Sequence, residues 1–483
     1  MTTANPFYRS STPPVMQGVW LFLALLTSVV FGWFIAGAGL TAAGALMVMP
    51  FVVGYLVLVF LRPKIGLLSA LVYCFVMPTL GKHIAGPQFG LGVDALLVLT
   101  WLGVIFYRGN RYRFRHLHND LVWLALVWFL LTVLQLGNPN RPDPVGWLQE
   151  MRSQTLYWIL IVPLTMLVFK KRSDMDLFLN IIILLSAIGA LYGMKQLYIG
   201  VDSAEYAWLE AGAKKTHLLF GKLRVFSYYS EAAQFGASQA QLAVMCFILF
   251  TGPHTTGKRI WYLICGLLIF YGMLISGTRG AMGGLVGGGF LFLVLSKQTK
   301  ILILGMIIGG GFIGMLKFTM IGQNNDQIRR MRTSLDPNDA SLQVRLINQR
   351  ILKDILASQP FGTGVGTIGQ WGTTYNKHLA ISRIPPDSLF VKVWAMYGVI
   401  GFILWMGIML YIVGKGAGMI WRTRDPLLKN QLTALCAGAF GILVCSYGNE
   451  VQNAMPSAII VYMSWAFIWM GSRWDTPVKS VQP

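Results

Sequence analysis

The chain has 483 residues, is 55% hydrophobic and only 12% charged, and has a mean hydropathy of +0.59. A soluble domain carries about 25% charged residues, so an ordinary soluble enzyme is excluded. The wealth of apolar and aromatic residues excludes disorder, and the class that remains is a polytopic membrane protein. The net charge is +21, from 39 Lys and Arg against 18 Asp and Glu. On a soluble protein that excess would point to nucleic acid. Here much of it lies in short loops between apolar runs, where the positive-inside rule expects it, so no nucleic-acid partner is assigned.

A spanning helix needs about 20 mostly apolar residues, and about fourteen runs qualify. In chain order they are 17–39, 41–61, 65–81, 91–107, 121–137, 155–170, 177–200, 235–252, 260–277, 281–297, 301–318, 388–414, 432–449 and 455–472. The N-terminus is polar through Pro14 and lacks a cleavage pattern, so the first run reads as a retained span rather than a signal peptide. The five cysteines, Cys74, Cys246, Cys265, Cys436 and Cys445, all sit inside apolar runs without a C-x-x-C pair. They read as small packing residues, not as a disulfide or zinc site.

Charge sets the orientation. With the N-terminus inside, the inside loops carry Arg62/Lys64, Arg108/Arg111/Arg113/Arg115, Lys170/Lys171/Arg172, Lys258/Arg259, Lys297/Lys300, Arg422/Arg424/Lys429 and Arg473. Every inside loop is basic, which supports both ends inside.

Three outside loops are substantial, at 138–154, 201–234 and 319–387. The last carries Arg329, Arg330, Arg332, Arg345, Arg350, Lys353, Lys377 and Arg383 against Asp326, Asp336, Asp339 and Asp354. Long loops cross regardless of charge, so topology permits this excess without explaining it. A bound anion would explain it. Asp336-Pro-Asn-Asp339 reads as a turn opening a helix. Over 341–358, Val344, Ile347, Ile351, Leu352, Ile355 and Leu356 recur at helical spacing. Arg345 falls at the edge of that stripe and Arg350 on the opposite, solvated side. The helix is expected to lie across the outer mouth of the bundle. Gly280-xxx-Gly284-xxx-Gly288 and Gly305-xxx-Gly309 fit close helix packing. No Lys-Ser/Thr follows them, so they are not a phosphate loop.

Charged groups at the outer membrane edge are informative because burying them is costly. Arg224 precedes the helix that begins near Ala232. Arg279 sits in the tight turn Ser276-Gly-Thr-Arg-Gly-Ala281. Arg345 rides on the loop helix, and Asp387 follows Pro385-Pro386 where the chain re-enters the membrane. Guanidinium groups bind phosphate oxygens bidentately and stay charged. A carboxylate can take a proton from a hydroxyl. A lipid diphosphate donor and a hydroxyl acceptor would need both, without a metal. Each residue also has a structural reading: Arg224 as a cation that snorkels to headgroups, Arg279 as a cap of helix carbonyls, Arg345 as a partner of an acidic neighbour such as Asp339 or Asp354, and Asp387 as an N-cap. Asp94 reads as a cap or a buried hydrogen-bonding group. Glu231, Asn449 and Glu450 lie at the outer face, where they would line an acceptor site or serve structure. His217 and His378 have no partners at ligand spacing, so no metal is assigned. Trp371 and Tyr375 suit sugar stacking or loop packing.

Together these motifs resemble the O-antigen ligase/polymerase (Wzy-like) superfamily of bacterial membrane glycosyltransferases. The resemblance covers about 220–415. It is carried by Arg224-Val-Phe-Ser…Phe-Gly236, by Ser276-Gly-Thr-Arg279-Gly-Ala281, by Arg345 followed by Pro360-Phe-Gly-Thr-Gly364, and by Asp387-Ser388-Leu-Phe followed by Gly398-Val-Ile-Gly401. It implies an all-α, GT-C-like membrane fold forming one integral domain over 1–483, with the 319–387 loop inserted on the periplasmic side. It implies inverting transfer of a glycan from undecaprenyl diphosphate to an acceptor hydroxyl, with no nucleotide sugar, metal or other cofactor. The diphosphate-binding arginines carry over to Arg224 and Arg345, with Arg279 in support. The family's catalytic histidine falls on Asp387, a departure that weighs against transfer to lipid A-core. The expected catalytic set is Asp387, Arg345 and Arg224. The expected substrate-binding set is Arg279, Glu231, Ser388 and Arg350. The first reading is a polymerase of lipid-linked repeat units of a surface polysaccharide in the inner membrane, with a flippase and a chain-length regulator as candidate partners. The second is a ligase that moves lipid-linked glycan to lipid A-core or protein. A transporter or lipid flippase is the rival class, but it predicts pseudo-repeats and polar residues near the membrane midplane, whereas the sequence shows no repeat and its charges cluster outside.

Overall fold

The structure is a computed structural model that describes residues 14–84, 86–106, 112–219, 221–297 and 340–475, with scattered residues between 303 and 336. Arg108, Arg111, Lys300, Asp326, Arg330, Asp339 and most of the 301–318 run lie outside the described residues. The chain divides into two compact units, Met1–Arg62 and Pro63–Pro483.

In the first unit Pro14–Leu61 is one helix of 48 residues. This corrects the expectation of two spans at 17–39 and 41–61. At 1.5 Å per residue the helix runs about 72 Å. The sequence from Phe34 to Leu61 contains no charge. The Gly and Ala residues near Leu40 therefore offer no polar loop, and the backbone keeps its hydrogen bonds within the helix.

The second unit is nearly all helix. Nine helices among the described residues are long and apolar enough to cross a membrane: Pro63–His83, Asp120–Gly137, Pro144–Val168, Arg172–Tyr198, Ala232–Thr251, Thr256–Ile275, Arg279–Ser296, Leu389–Arg422 and Pro426–Cys445. The chain is a multi-pass, all-α membrane protein. Gly90–Phe106 is apolar but shorter, and Ser457–Met470 has 14 residues, all of them buried. The one sheet among the described residues is a ribbon in which Leu218–Leu219 pairs with Lys222–Leu223. The five cysteines are buried and free, as packing residues should be.

Small residues bring the inner helices together. Ala232–Thr251 packs against Thr256–Ile275, Arg279–Ser296 and Pro426–Cys445. A Cβ on Gly284 would stand 2.9 Å from the Gly441 carbonyl oxygen, and one on Gly288 would stand 2.8 Å from that of Ala437. The first expected glycine stripe, Gly280–Gly284–Gly288, is thus at the contact between the 279–296 and 426–445 helices, where close backbone approach replaces a hydrophobic driving force; Gly305 and Gly309 of the second lie outside the described residues.

The Leu389–Arg422 helix breaks at Gly398, whose φ is +69°. A Cβ there would stand 2.1 Å from the Pro360 carbonyl oxygen. The turn after Pro360 inserts into the break: Thr363 N donates to Ala395 O at 3.0 Å and Gly364 N to Met396 O at 3.1 Å. The carbonyls released by the kink are thereby satisfied. From the other side, Gln135 Nε2 donates to Phe361 O at 3.0 Å and Asn138 Nδ2 to Gly362 O at 3.1 Å. The glycine motifs of 360–401 therefore build a joint that fixes the start of the 357–388 segment against the kinked helix.

The loop helix spans Ala340–Leu356, close to the expected 341–358. Its inward face differs from the expected stripe. Leu352 and Leu356 are buried and Arg345, Asn348 and Gln349 are half-buried, while Val344, Ile347 and Ile351 are exposed. Asn348 Nδ2 donates to Pro385 O at 3.4 Å, so a mixed polar and apolar edge meets the protein.

Candidate functional site

Arg224 is set by three segments. His217 is buried against Trp208 and Phe226, with ring centroids 4.9 and 5.4 Å away. Its Nδ1 lies 3.0 Å from Ala213 O and its Nε2 3.1 Å from Ala232 N. A carbonyl needs a donor and an amide needs an acceptor, so the ring is the neutral Nδ1–H tautomer. Burial pushes the imidazole down to about 4, and the Arg224 and Lys82 charges push the same way. Ala232 opens the 232–251 helix, so His217 satisfies one of the amides at its N-terminus. Arg224 N donates to His217 O at 2.7 Å. The guanidinium donates through Nη1 to Thr216 O at 3.1 Å and through Nη2 to Thr278 Oγ1 at 3.3 Å. Thr278 Oγ1 in turn donates to Ala232 O at 2.9 Å.

The same threonine precedes Arg279, the first residue of the 279–296 helix. Gly277 takes a left-handed φ of +58°, which shapes the turn. A Cβ on Gly236 would stand 2.3 Å from Ser276 Oγ, so only glycine lets the 232–251 helix accept this turn. Arg279 places a positive charge at a helix N-terminus, where the dipole is also positive. That arrangement favours an anion in front of it.

The opposite wall comes from the 340–356 helix, the Pro385–Ser388 turn and the turn at 446–450. Gly448 links it to the first wall. A Cβ at Gly448 would stand 3.6 Å from Gly280 Cα and 3.8 Å from Arg345 Nη1. The Arg345 guanidinium therefore lies beside the turn that carries Arg279. Asp387 has a φ of +50°, a left-handed conformation that Asp and Asn tolerate better than most residues. It is not the helix N-cap. Ser388 occupies that position without a side-chain cap bond, and Leu389 N donates to Ser446 O at 3.0 Å. The Asp387 carboxyl is left for the cavity. Burial raises its pKa above the ordinary carboxylate value, with Arg345 pulling the other way.

These walls enclose an open cavity of about 940 Å³, lined among others by Arg224, Glu231, Arg279, Arg345, Asp387 and Glu450. Five expected site residues thus meet in one space. Two do not. Arg350 is exposed on the outer side of the loop helix, and Ser388 is buried in its capping position; neither lines the cavity. Gln370 lines it, next to Trp371, which stacks on Tyr375 at 6.1 Å. Asp94 is half-buried and paired with Arg152. Among the described residues no group of three or more His, Cys, Asp or Glu is placed to hold a metal ion.

Three of the cavity carboxylates, Glu231, Asp387 and Glu450, are linked through Glu450. Burial raises the Glu231 carboxyl, with Arg224 lowering and Glu450 raising it. Burial also raises Glu450, with Lys392 lowering it and Glu150 and Asp387 adding to the rise. Sequence reasoning missed the support beneath Glu450. Lys392 Nζ is 2.8 Å from Glu450 Oε2 and 3.0 Å from Glu150 Oε2. The available signal was a lone lysine in the first turn of an apolar span, where a charge calls for a partner.

No curated protein matches the chain. Residues 264–406 match the family model Wzy_C, described as O-antigen ligase. The matched stretch holds the 276–281 turn, Arg345, the 360–364 turn, Asp387 and the kink at Gly398, while Arg224 and Glu450 fall outside it. Over residues 264–406, then, the chain is similar to the Wzy/O-antigen ligase-like family.

Proposed function

We propose that the chain is a glycosyltransferase that polymerises undecaprenyl-diphosphate-linked repeat units of a surface polysaccharide at the periplasmic face of the bacterial inner membrane. The observation that carries this reading is the single cavity into which Arg224, Arg279, Arg345 and Asp387 are brought from separate segments. Arg224 and Arg345 hold the donor diphosphate, and Arg279 with its helix N-terminus adds to the positive field. The acceptor hydroxyl oxygen attacks the anomeric carbon from the face opposite the diphosphate. The carbon–oxygen bond to the diphosphate breaks, and its electron pair leaves with the diphosphate. The hydroxyl proton passes to Asp387, whose raised pKa makes it a better base than an exposed carboxylate. The arginines stabilise the charge that grows on the leaving group. No step draws on a metal or a nucleotide.

The family description favours a second reading, a ligase that transfers finished glycan to lipid A-core or protein. The donor side is the same in both, and only the acceptor differs. Deleting the gene in its host and resolving the surface glycan by size separates them. The polymerase reading expects loss of the long-chain ladder, with single repeat units still attached to their acceptor. Loss of all attached glycan, with long lipid-linked chains accumulating, would instead mean ligase. An unchanged glycan profile contradicts both.

A further inference from the structure

The buried triad of Glu150, Lys392 and Glu450 is unexplained by donor binding. Lys392 is the fourth residue of the 389–422 helix, and its side chain is 9% exposed. Glu150, 1% exposed, comes from the Pro144–Met151 helix, and its Oε1 accepts from Gln154 Nε2 at 2.8 Å. Glu450 comes from the turn after the 426–445 helix and lines the cavity. Burying one ammonium between two carboxylates costs more than packing the same space with apolar side chains. The arrangement has a result that apolar packing lacks: it fixes one oxygen of Glu450. The bonds of Glu450 run through Oε2, and no described residue hydrogen-bonds its Oε1.

Arg224 acts on Glu231 and Arg345 on Asp387, while the cation that acts on Glu450 is the buried Lys392. The triad carries one more carboxylate than ammonium, and the Glu450 oxygen it leaves at the cavity suits a ligand made of hydroxyl donors.

We propose that Glu450 is an acceptor-binding residue, its free oxygen accepting hydrogen bonds from sugar hydroxyls next to the one Asp387 serves, with Lys392 and Glu150 as positioning residues that lock it in place. This rests on the glycosyl-transfer reading and adds the acceptor side to it. Sugar rings carry neighbouring hydroxyls at hydrogen-bond spacing, so Glu450 and Asp387 together read two positions of one ring. Lys392 adds selectivity by orientation: with Oε2 pinned, Glu450 presents Oε1 in one direction.

The test uses the purified full chain in lipid, with the host's own repeat-unit oligosaccharide, released from its lipid, as probe. Binding is followed by tryptophan fluorescence, and transfer is followed separately with the lipid-linked donor. Glu450→Gln should weaken oligosaccharide binding and raise the acceptor KM about tenfold or more, the loss expected for a hydrogen bond to a charged group. The donor KM should stay unchanged. Lys392→Met should move the acceptor KM the same way, and Lys392→Arg should restore much of it. Lys392→Met combined with Glu150→Gln removes the two fully buried charges and leaves Glu450, which opens on the cavity, so it lessens the risk of simple misfolding; its acceptor KM should also rise. Unchanged oligosaccharide binding in Glu450→Gln, or a rise confined to the donor KM, would overturn the inference. Failure of the wild-type chain to transfer from the lipid-linked donor while it still binds the oligosaccharide through Glu450 would instead count against the transfer reading alone.

Discussion

The two walls of the cavity hold their arginines by different means. Arg224 sits on a wall tied by backbone bonds: the 214–224 segment is pinned to the 232–251 helix through His217, and Thr278 bridges both. Arg345 sits on a helix that meets the protein through a narrow edge of Asn348, Leu352 and Leu356. The first wall is preorganised by many short-range partners. The second is held at its ends, by the Gly398 joint and by the Pro385–Ser388 turn. The difference suits a site where the donor's diphosphate meets a fixed arginine first and a helix-borne one completes the clamp.

The largest effect expected from breaking this contrast is at Arg345. Arg345→Ala should reduce product by about a hundredfold or more while leaving the protein in the membrane. Product gels with a membrane-fraction blot check it, and wild-type output would end the donor assignment. Arg345→Lys keeps a charge but loses the bidentate fork, so partial activity is expected.

Asp387→Asn comes next. Asn tolerates the left-handed backbone at this position, so the turn should persist while basicity is lost. Turnover should fall by about 10²-fold or more with a melting temperature close to wild type. Normal turnover would make Asp387 a turn residue and not a base.

The close contact of the inner helices should be sensitive to added bulk. Gly284→Leu would force the 279–296 helix away from the Gly441 carbonyl, at a cost of about 1–3 kcal/mol. Thermal unfolding in detergent should show it, and Gly289→Leu, at a position with open space, should be nearly silent.

The smallest effect is a pH dependence of the first wall. His217 is held neutral in the folded chain, with its pKa depressed from about 6.5 to about 4. The unfolded chain therefore binds the extra proton first as pH falls. The stability this histidine contributes is full above about pH 6.5 and declines down to about pH 4. His217→Gln should flatten the fall in melting temperature over that window. A slope identical to wild type would mean other groups set it.

How much of this was legible in the sequence depends on the range of the interaction. Apolar runs gave most of the helices in the second unit, because burial in lipid acts residue by residue. The gathering of Arg224, Arg279, Arg345 and Asp387 followed from their shared position at one membrane edge. The first unit misled, because nothing local distinguishes two short spans from one long helix when the sequence between them is uncharged. Arg350 and Ser388 were adjacent in the chain to site residues, but a helix turns Arg350 outward and the Ser446 carbonyl takes the helix end that Asp387 was expected to cap. The Glu150–Lys392–Glu450 triad joins three distant segments, and no spacing rule links them. The departure of the loop helix from its apolar stripe has the same cause: what its inner edge meets is chosen by the Pro385 turn.

Under the proposed function, this one cavity transfers a glycan from a lipid diphosphate. The most direct measurement is reconstitution of the purified chain in liposomes with the undecaprenyl-diphosphate-linked repeat unit as sole substrate, without added nucleotide or metal, followed by mass spectrometry. The account predicts lipid-linked dimers and longer products, with release of one undecaprenyl diphosphate per bond formed, and their loss in Arg345→Ala. Unaltered substrate under these conditions, or equal products from the wild type and Arg345→Ala, would contradict it.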